Sequence, residues 1–427
     1  MPDYALVRAF LNWHGSFERN HMENRPAFDL ASHASPFAIT SEELHQKLGH
    51  LRTVLEHGGR SGILLIREGA VRWLTGTRHQ ISDIAPDAES PVKALVSLGH
   101  TAIGITFVTT RIEMPRIREQ LPEVFRGVSD VTIDFKESLP TLPDTLLIPG
   151  GAGYEEAHAQ IICPLVGGME GNQFRKLKWL HAMTQAVLTE TALGLVPGMN
   201  GAEIRGEVFR NLAARDVECN LILVALKGQE KHFHPLYNSR YRTERGCWVK
   251  LVTGGRFAEM IVSTTTMAKV GASLSKKEAA IYAALQRGAV EYADLYRNGA
   301  QEAEIYAEVG DRFMTIEKET ELKGFQPSAY FHHMGGPTSP LGNRDFLLEP
   351  GGKHKMLPWI QFAINPADAL QCTKVELQGI VMPEGPPRIL DGSSFVPSSL
   401  GLFSDVKSKA GTSAMVANII EASGGSA

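Results

Sequence analysis

The chain has 427 residues, 43% of them hydrophobic and 21% charged, which is the balance of a globular protein with room for two domains and a large core. Lys and Arg number 43 against 47 Asp and Glu, a net charge of -4, which excludes an electrostatic reason to bind nucleic acid or an acidic membrane. The four cysteines (Cys163, Cys219, Cys247, Cys372) form no CxxC pair, which excludes a zinc ribbon and a disulfide scaffold and suits a reducing compartment.

In chain order, residues 1–35 read as an irregular arm rich in Asn, His, Pro and Ser, without the apolar core of a signal peptide. With no apolar stretch of about 20 residues to cross a membrane, a cytoplasmic protein is expected. Thr40-Ser41-Glu42-Glu43 opens a helix with a capping signature, and Leu44, Leu48, Leu51 and Leu55 follow at helical spacing. The run 62–76 reads as strand, turn, strand; two more apolar runs fall within 94–109, a helix within 112–126 and a buried strand at 144–149. This mixture describes an α/β domain over 36–165. Glycines 150, 151 and 153 and the stretch from Pro164 to Gly171 are breaks, and a long helix covers about 173–193.

A weak internal repeat follows. Residues 195–204 and 296–305 each leave a helix, turn at a glycine (Gly198, Gly299) and start a new helix with Ala-Glu-Ile at the same offset. Each copy leads into β-like segments, 248–271 and 359–382, so two pseudo-symmetric halves are expected over 172–400. The polar, Ser/Gly/Ala-rich tail, 401–427, reads as partly mobile.

This layout resembles the creatinase/prolidase/methionine aminopeptidase family. The hairpin-like "LLI…VRWLTG" segment, the linking helix and the two helix-plus-hairpin halves carry the resemblance from about residue 40 to 395. It implies an α/β (α+β) chain with a creatinase-like N-terminal domain and a C-terminal pita-bread domain of internal pseudo-two-fold symmetry. It also implies a homodimer. In the metal-dependent members two aspartates on the first hairpin ligate metal; here their positions hold Val252 and Ser263. The family's histidine ligand matches His333, its next glutamate is replaced by Asn365, and its last glutamate is kept as Glu376. The family's second histidine, past the turn, is replaced by Pro340. One carboxylate and one imidazole cannot replace the hydration shells of two dications, so no metal and no other cofactor is expected.

The resemblance places a substrate-facing histidine ahead of the first hairpin. His234 matches best, with His232 as the fallback, and a histidine there suits general acid/base work; both also fit ordinary loop histidines. Period-two geometry puts Glu376 and Lys374 on one strand face, as a site pair or as a structural ion pair. Glu259 shares a face with Ser263 by the same rule, and is either a new source of carboxylate or a solvated hairpin-edge residue. Ser263 heads a run of threonines that β-propensity alone explains. Arg344 resembles a substrate-binding arginine, or is a surface residue. The expected catalytic set is therefore His234, His333 and Glu376, with His232, Arg344, Asn365, Lys374, Ser263 and Glu259 binding substrate. Such a pocket is neutral to positive and favours an anionic or zwitterionic small molecule. The expected activity is a metal-independent hydrolase or lyase on a C–N or related bond. A non-catalytic binding protein and a residual metal-dependent aminopeptidase are the competing readings.

Overall fold

The computed structural model describes residues 39–79, 88–121, 125, 128, 130–226, 228–229, 232, 235, 237–320, 335–341, 347–368 and 373–422. The described residues begin with α1 (Ser41–His57), β1 (Gly62–Arg67), α2 (Glu68–Thr75), β2 (Glu89–Leu98), β3 (Ile103–Val108), α3 (Met114–Gln120), β4 (Val131–Lys136), β5 (Leu146–Leu147) and α4 (Tyr154–Ile162). The Thr40 side chain caps α1 by accepting from the Glu43 amide, as the capping signature predicts. The strands form one mixed sheet in the order β4-β3-β2-β1-β5, and leucines 44, 48, 51 and 55 of α1 fill its core.

One element departs from the expectation. The expected second strand within 62–76 is the helix α2, with every residue buried. Glu68 and Arg72 pair across one turn at 2.7 Å, and Gly76 ends the helix in the left-handed region at φ 68°. A short apolar run does not separate a buried helix from a buried strand by pattern alone.

The second part comprises α5 (Asn172–Leu193), α6 (Gly201–Ala213), β6 (Glu218–Leu226), β7 (Trp248–Phe257), β8 (Met260–Val270), α7 (Lys276–Ala293) and α8 (Glu302–Thr320). It continues with β9 (Gly336–Thr338), β10 (Gln361–Ile364), β11 (Ala367–Asp368), β12 (Thr373–Lys374), β13 (Leu377–Ile380) and β14 (Arg388–Ile389). Last come β15 (Phe403–Lys407), β16 (Ser413–Ala417) and β17 (Ile420–Ala422). Two half-sheets result, β17-β8-β7-β6 and β14-β13-β10-β9, each with its own helix pair and its own apolar core.

The repeat seen in the sequence is reproduced bond for bond. Gly198 (φ 98°) and Gly299 (φ 82°) both take the left-handed conformation. The Gly198 amide donates to Thr243 O while the Thr243 amide donates to Met199 O, each at 2.8 Å. In the second half Gly299 donates to Met356 O at 2.8 Å and Met356 to Ala300 O at 2.9 Å. Asn200 and Gln301 then make equivalent isolated bridges, to Arg242 and Lys355.

The tail is more ordered than its composition suggests. β15 and β16 form a hairpin against α7, and β17 adds a parallel strand to β8. Alternating Ala414, Val416 and then Ile420 and Ala422 are buried, and this short apolar rhythm outweighs the polar residues between them.

Candidate functional site

Strand alternation decides what the first half-sheet presents. Val249, Leu251 and Phe257 of β7, with Val262, Ala268 and Val270 of β8, enter the core beneath α5 and α6. The other face is read in rows across β6, β7 and β8. Ala225, Lys250 and Met267 make one row; Leu223, Val252 and Thr265 the next; Leu221, Gly254 and Ser263 the third. Val252 and Ser263, the positions the resemblance aligns with ligating aspartates, thus lie on one face in neighbouring rows.

Strands β12 and β13 meet this face from the other half. The Ser263 amide donates to Gln378 Oε1 at 3.1 Å, and Gln378 Nε2 donates to the Ile261 carbonyl at 3.2 Å. Thr265 Oγ1 donates to Glu376 Oε2 at 2.5 Å, and Lys374 Nζ stands 3.3 Å from the same carboxylate oxygen. Lys374 and Glu376 therefore pair as period-two geometry requires, with both side chains buried. The ladder that sets Ile364 against Leu377 and Ala367 against Lys374 places Asn365 opposite Glu376. Asn365 is buried, and its Oδ1 has no hydrogen-bond partner among the described residues. Ser263, Thr265, Asn365, Lys374 and Glu376 are thus gathered in one place.

Other expected residues lie elsewhere. Glu259 does not face this group: it sits in the two-residue turn between Phe257 and Met260 and is fully buried in an ion cluster with Lys47 and Lys176. At the turn the strand alternation that relates it to Ser263 no longer holds, so Glu259 brings the site no carboxylate. His232 is exposed, and its carbonyl accepts from Lys250 Nζ at 3.1 Å. His234, His333 and Arg344 lie outside the described residues.

Lys250 and Asn220 were missed by the sequence reading. Lys250 lies two residues before Val252, so alternation alone marks it as facing the site; it is buried and sits diagonally across from Thr265. Asn220 is an extra residue in β6, and its position depends on register that the sequence does not display.

The donors that the described residues gather here do not fit a pair of divalent ions. Val252 offers hydrocarbon, Ser263 and Asn365 are neutral, and the one carboxylate already holds a hydroxyl and an ammonium. Among the described residues no three His, Cys, Asp or Glu side chains meet as metal ligands. Among those residues, too, no helix is long and apolar enough to cross a membrane.

By sequence, the chain matches no known family model and no curated protein. By structure it is similar to the dipeptidase PepE from Mycobacterium ulcerans, with a TM-score of 0.59 at 16% identity over 83% of this chain and 97% of that one. It is similar to the Xaa-Pro dipeptidase from Bacillus anthracis, with a TM-score of 0.59 at 16% identity over 81% and 97% of the two chains. It is also similar to the prolidase from Pyrococcus furiosus, with a TM-score of 0.58 at 12% identity over 79% and 97%. With two pseudo-symmetric half-sheets under paired helices, behind a mixed α/β domain, the chain has the pita-bread fold of these peptidases.

Proposed function

We propose that this protein is a metal-independent hydrolase or lyase acting on a C–N bond of a small, zwitterionic, amino-acid-like molecule. The observation that carries the reading is the Thr265–Glu376–Lys374 group, which sets an ammonium beside the carboxylate where the resemblance places metal ligands. A fixed ammonium supplies positive charge to a developing oxyanion without a Lewis acid. Lys250, diagonal to Thr265 on β7, and Lys374, paired with the carboxylate that Thr265 bonds, suit a ligand carboxylate. The buried Asn365 oxygen, which lacks a donor among the described residues, suits a ligand amine. His234 takes the role of general acid/base by resemblance, with His333 orienting or polarising. The resemblance adds a homodimer, and cysteines without a pairing pattern suit the cytoplasm.

The test is metal content per subunit in protein purified natively without a metal-affinity tag, alongside a turnover screen of amino-acid-like compounds with and without chelator. Near-zero metal and chelator-insensitive turnover are expected. One or more metals per subunit would overturn the reading and return peptides to the head of the list. The second reading, a binding protein without turnover, is favoured by how fully Thr265 and Lys374 engage Glu376. His234→Ala separates the two: it abolishes turnover in an enzyme and spares ligand binding in a binder.

A further inference from the structure

We infer that Asn220 contacts the substrate and sets specificity at the mouth of the site; this rests on reading the site as a pocket for a small zwitterion. The starting point is a bulge in β6. Cys219 pairs with Gly255 and Leu221 with Gly254, so Asn220 is inserted between two consecutive steps of the ladder. Bulges re-aim a side chain, and asparagine is otherwise a poor strand residue. Here its amide is carried across β7. A Cβ built on Gly254 would stand 2.1 Å from Asn220 Oδ1 and 3.1 Å from its Cγ. The amide fills the space a side chain at 254 would take, and glycine is what admits it.

That space lies on the site face. Gly254 is the register partner of Ser263, and Thr265 stands one row further on, about 7 Å away along the strand. Asn220 is exposed, whereas Ser263 and Thr265 are buried. A ligand seated against Thr265 and Lys374 therefore meets the Asn220 amide on its solvent side. An amide offers donors and an acceptor together, so it recognises a carboxylate through its NH2 or an amide through both groups. A bulge whose only role is to twist an edge strand requires neither the bare backbone at 254 nor the amide placed over it.

The experiment is isothermal titration of α-amino acids and their C-terminal amides into the full chain, comparing wild type with Asn220→Ala, Asn220→Asp and Gly254→Ala. Asn220→Ala is expected to weaken the best ligand about ten-fold, the loss of one hydrogen bond to a charged group. Asn220→Asp should weaken amino acids further while sparing their amides. Gly254→Ala should match Asn220→Ala, because its methyl evicts the amide. Melting temperatures of the Asn220 variants should stay near wild type, since the residue is exposed. If the methyl at 254 unfolds the hairpin, the two Asn220 variants carry the test alone. Wild type that binds, with both Asn220 variants binding equally well and with unchanged preference, overturns this inference and leaves the proposed function standing. Wild type that binds none of the compounds overturns both.

Discussion

Two clusters of lysine and glutamate lie along the β7–β8 hairpin, one at its turn and one at its middle, and they are built differently. At the turn, Lys47 lies 2.7 Å from Glu43 and 3.1 Å from Glu259, while Lys176 lies 2.9 Å from Glu43 and 3.1 Å from Glu259. This is a closed ring of alternating charge, at most 1% exposed, drawn from α1, α5 and the hairpin turn. Asn172 adds a hydrogen bond to Glu43 at 2.7 Å. At the middle, Lys374 and Glu376 are two residues apart in sequence and share their surroundings with hydroxyls and the Asn365 amide. The ring answers each charge with two opposite charges and ties the first sheet's helix to the second part of the chain. The site's pair is local and borders a buried acceptor without a donor among the described residues. Burial of an ion pair does not mark function; the completeness of its surroundings separates a lock from a binding place.

Breaking the ring gives the largest expected effect. Glu259→Ala leaves two buried ammoniums facing one carboxylate and should cost about 3–5 kcal/mol, read from the denaturant midpoint. Adding Lys176→Met should recover part of that loss, the non-additivity expected of residues in contact. Acid separates the ring from other buried groups. Burial pushes the Glu259 carboxyl up, but Lys176 and Lys47 outweigh this and hold it far below the usual range. The ring's contribution is therefore fully present above the ordinary carboxylate range and is lost only as pH falls through and below that range. Buried His79, His158 and His181 respond earlier. Burial above all lowers each to about 4 from 6.5, so the unfolded chain binds more protons between those values and stability falls with pH there. From pH 7 to 5 each should cost about 2 kcal/mol, and His158→Phe, keeping the stack on Tyr154, should flatten that slope while Glu259→Ala leaves it unchanged. The smallest effect on stability is expected at the site. Thr265→Val removes one hydrogen bond to Glu376 and should cost about 1 kcal/mol in chemical denaturation while weakening ligand binding.

What was legible in the sequence was local. The glycine turns at Gly198 and Gly299 announce themselves because left-handed backbone and helix caps leave a short signature. The Lys374–Glu376 contact follows from strand periodicity. Glu259 was misplaced because its partner Lys47 is 212 residues away, a separation no periodicity encodes. Helix α2 was missed because an apolar run of its length fits either state, and Asn220 because a bulge moves register by one without marking the sequence.

The parallel pairing of β17 with β8 has a consequence for how the chain is made. Ala268 of β8 waits for Ile420, roughly 150 residues later. At about 5–20 residues per second of synthesis, that is on the order of ten seconds during which the Ala268–Val270 stretch of β8, paired with β7 on one side, stands with its outer backbone edge uncovered. The nascent protein must pass through this interval without joining a neighbour on another ribosome, so shielding by chaperones should matter most while its second half is being translated.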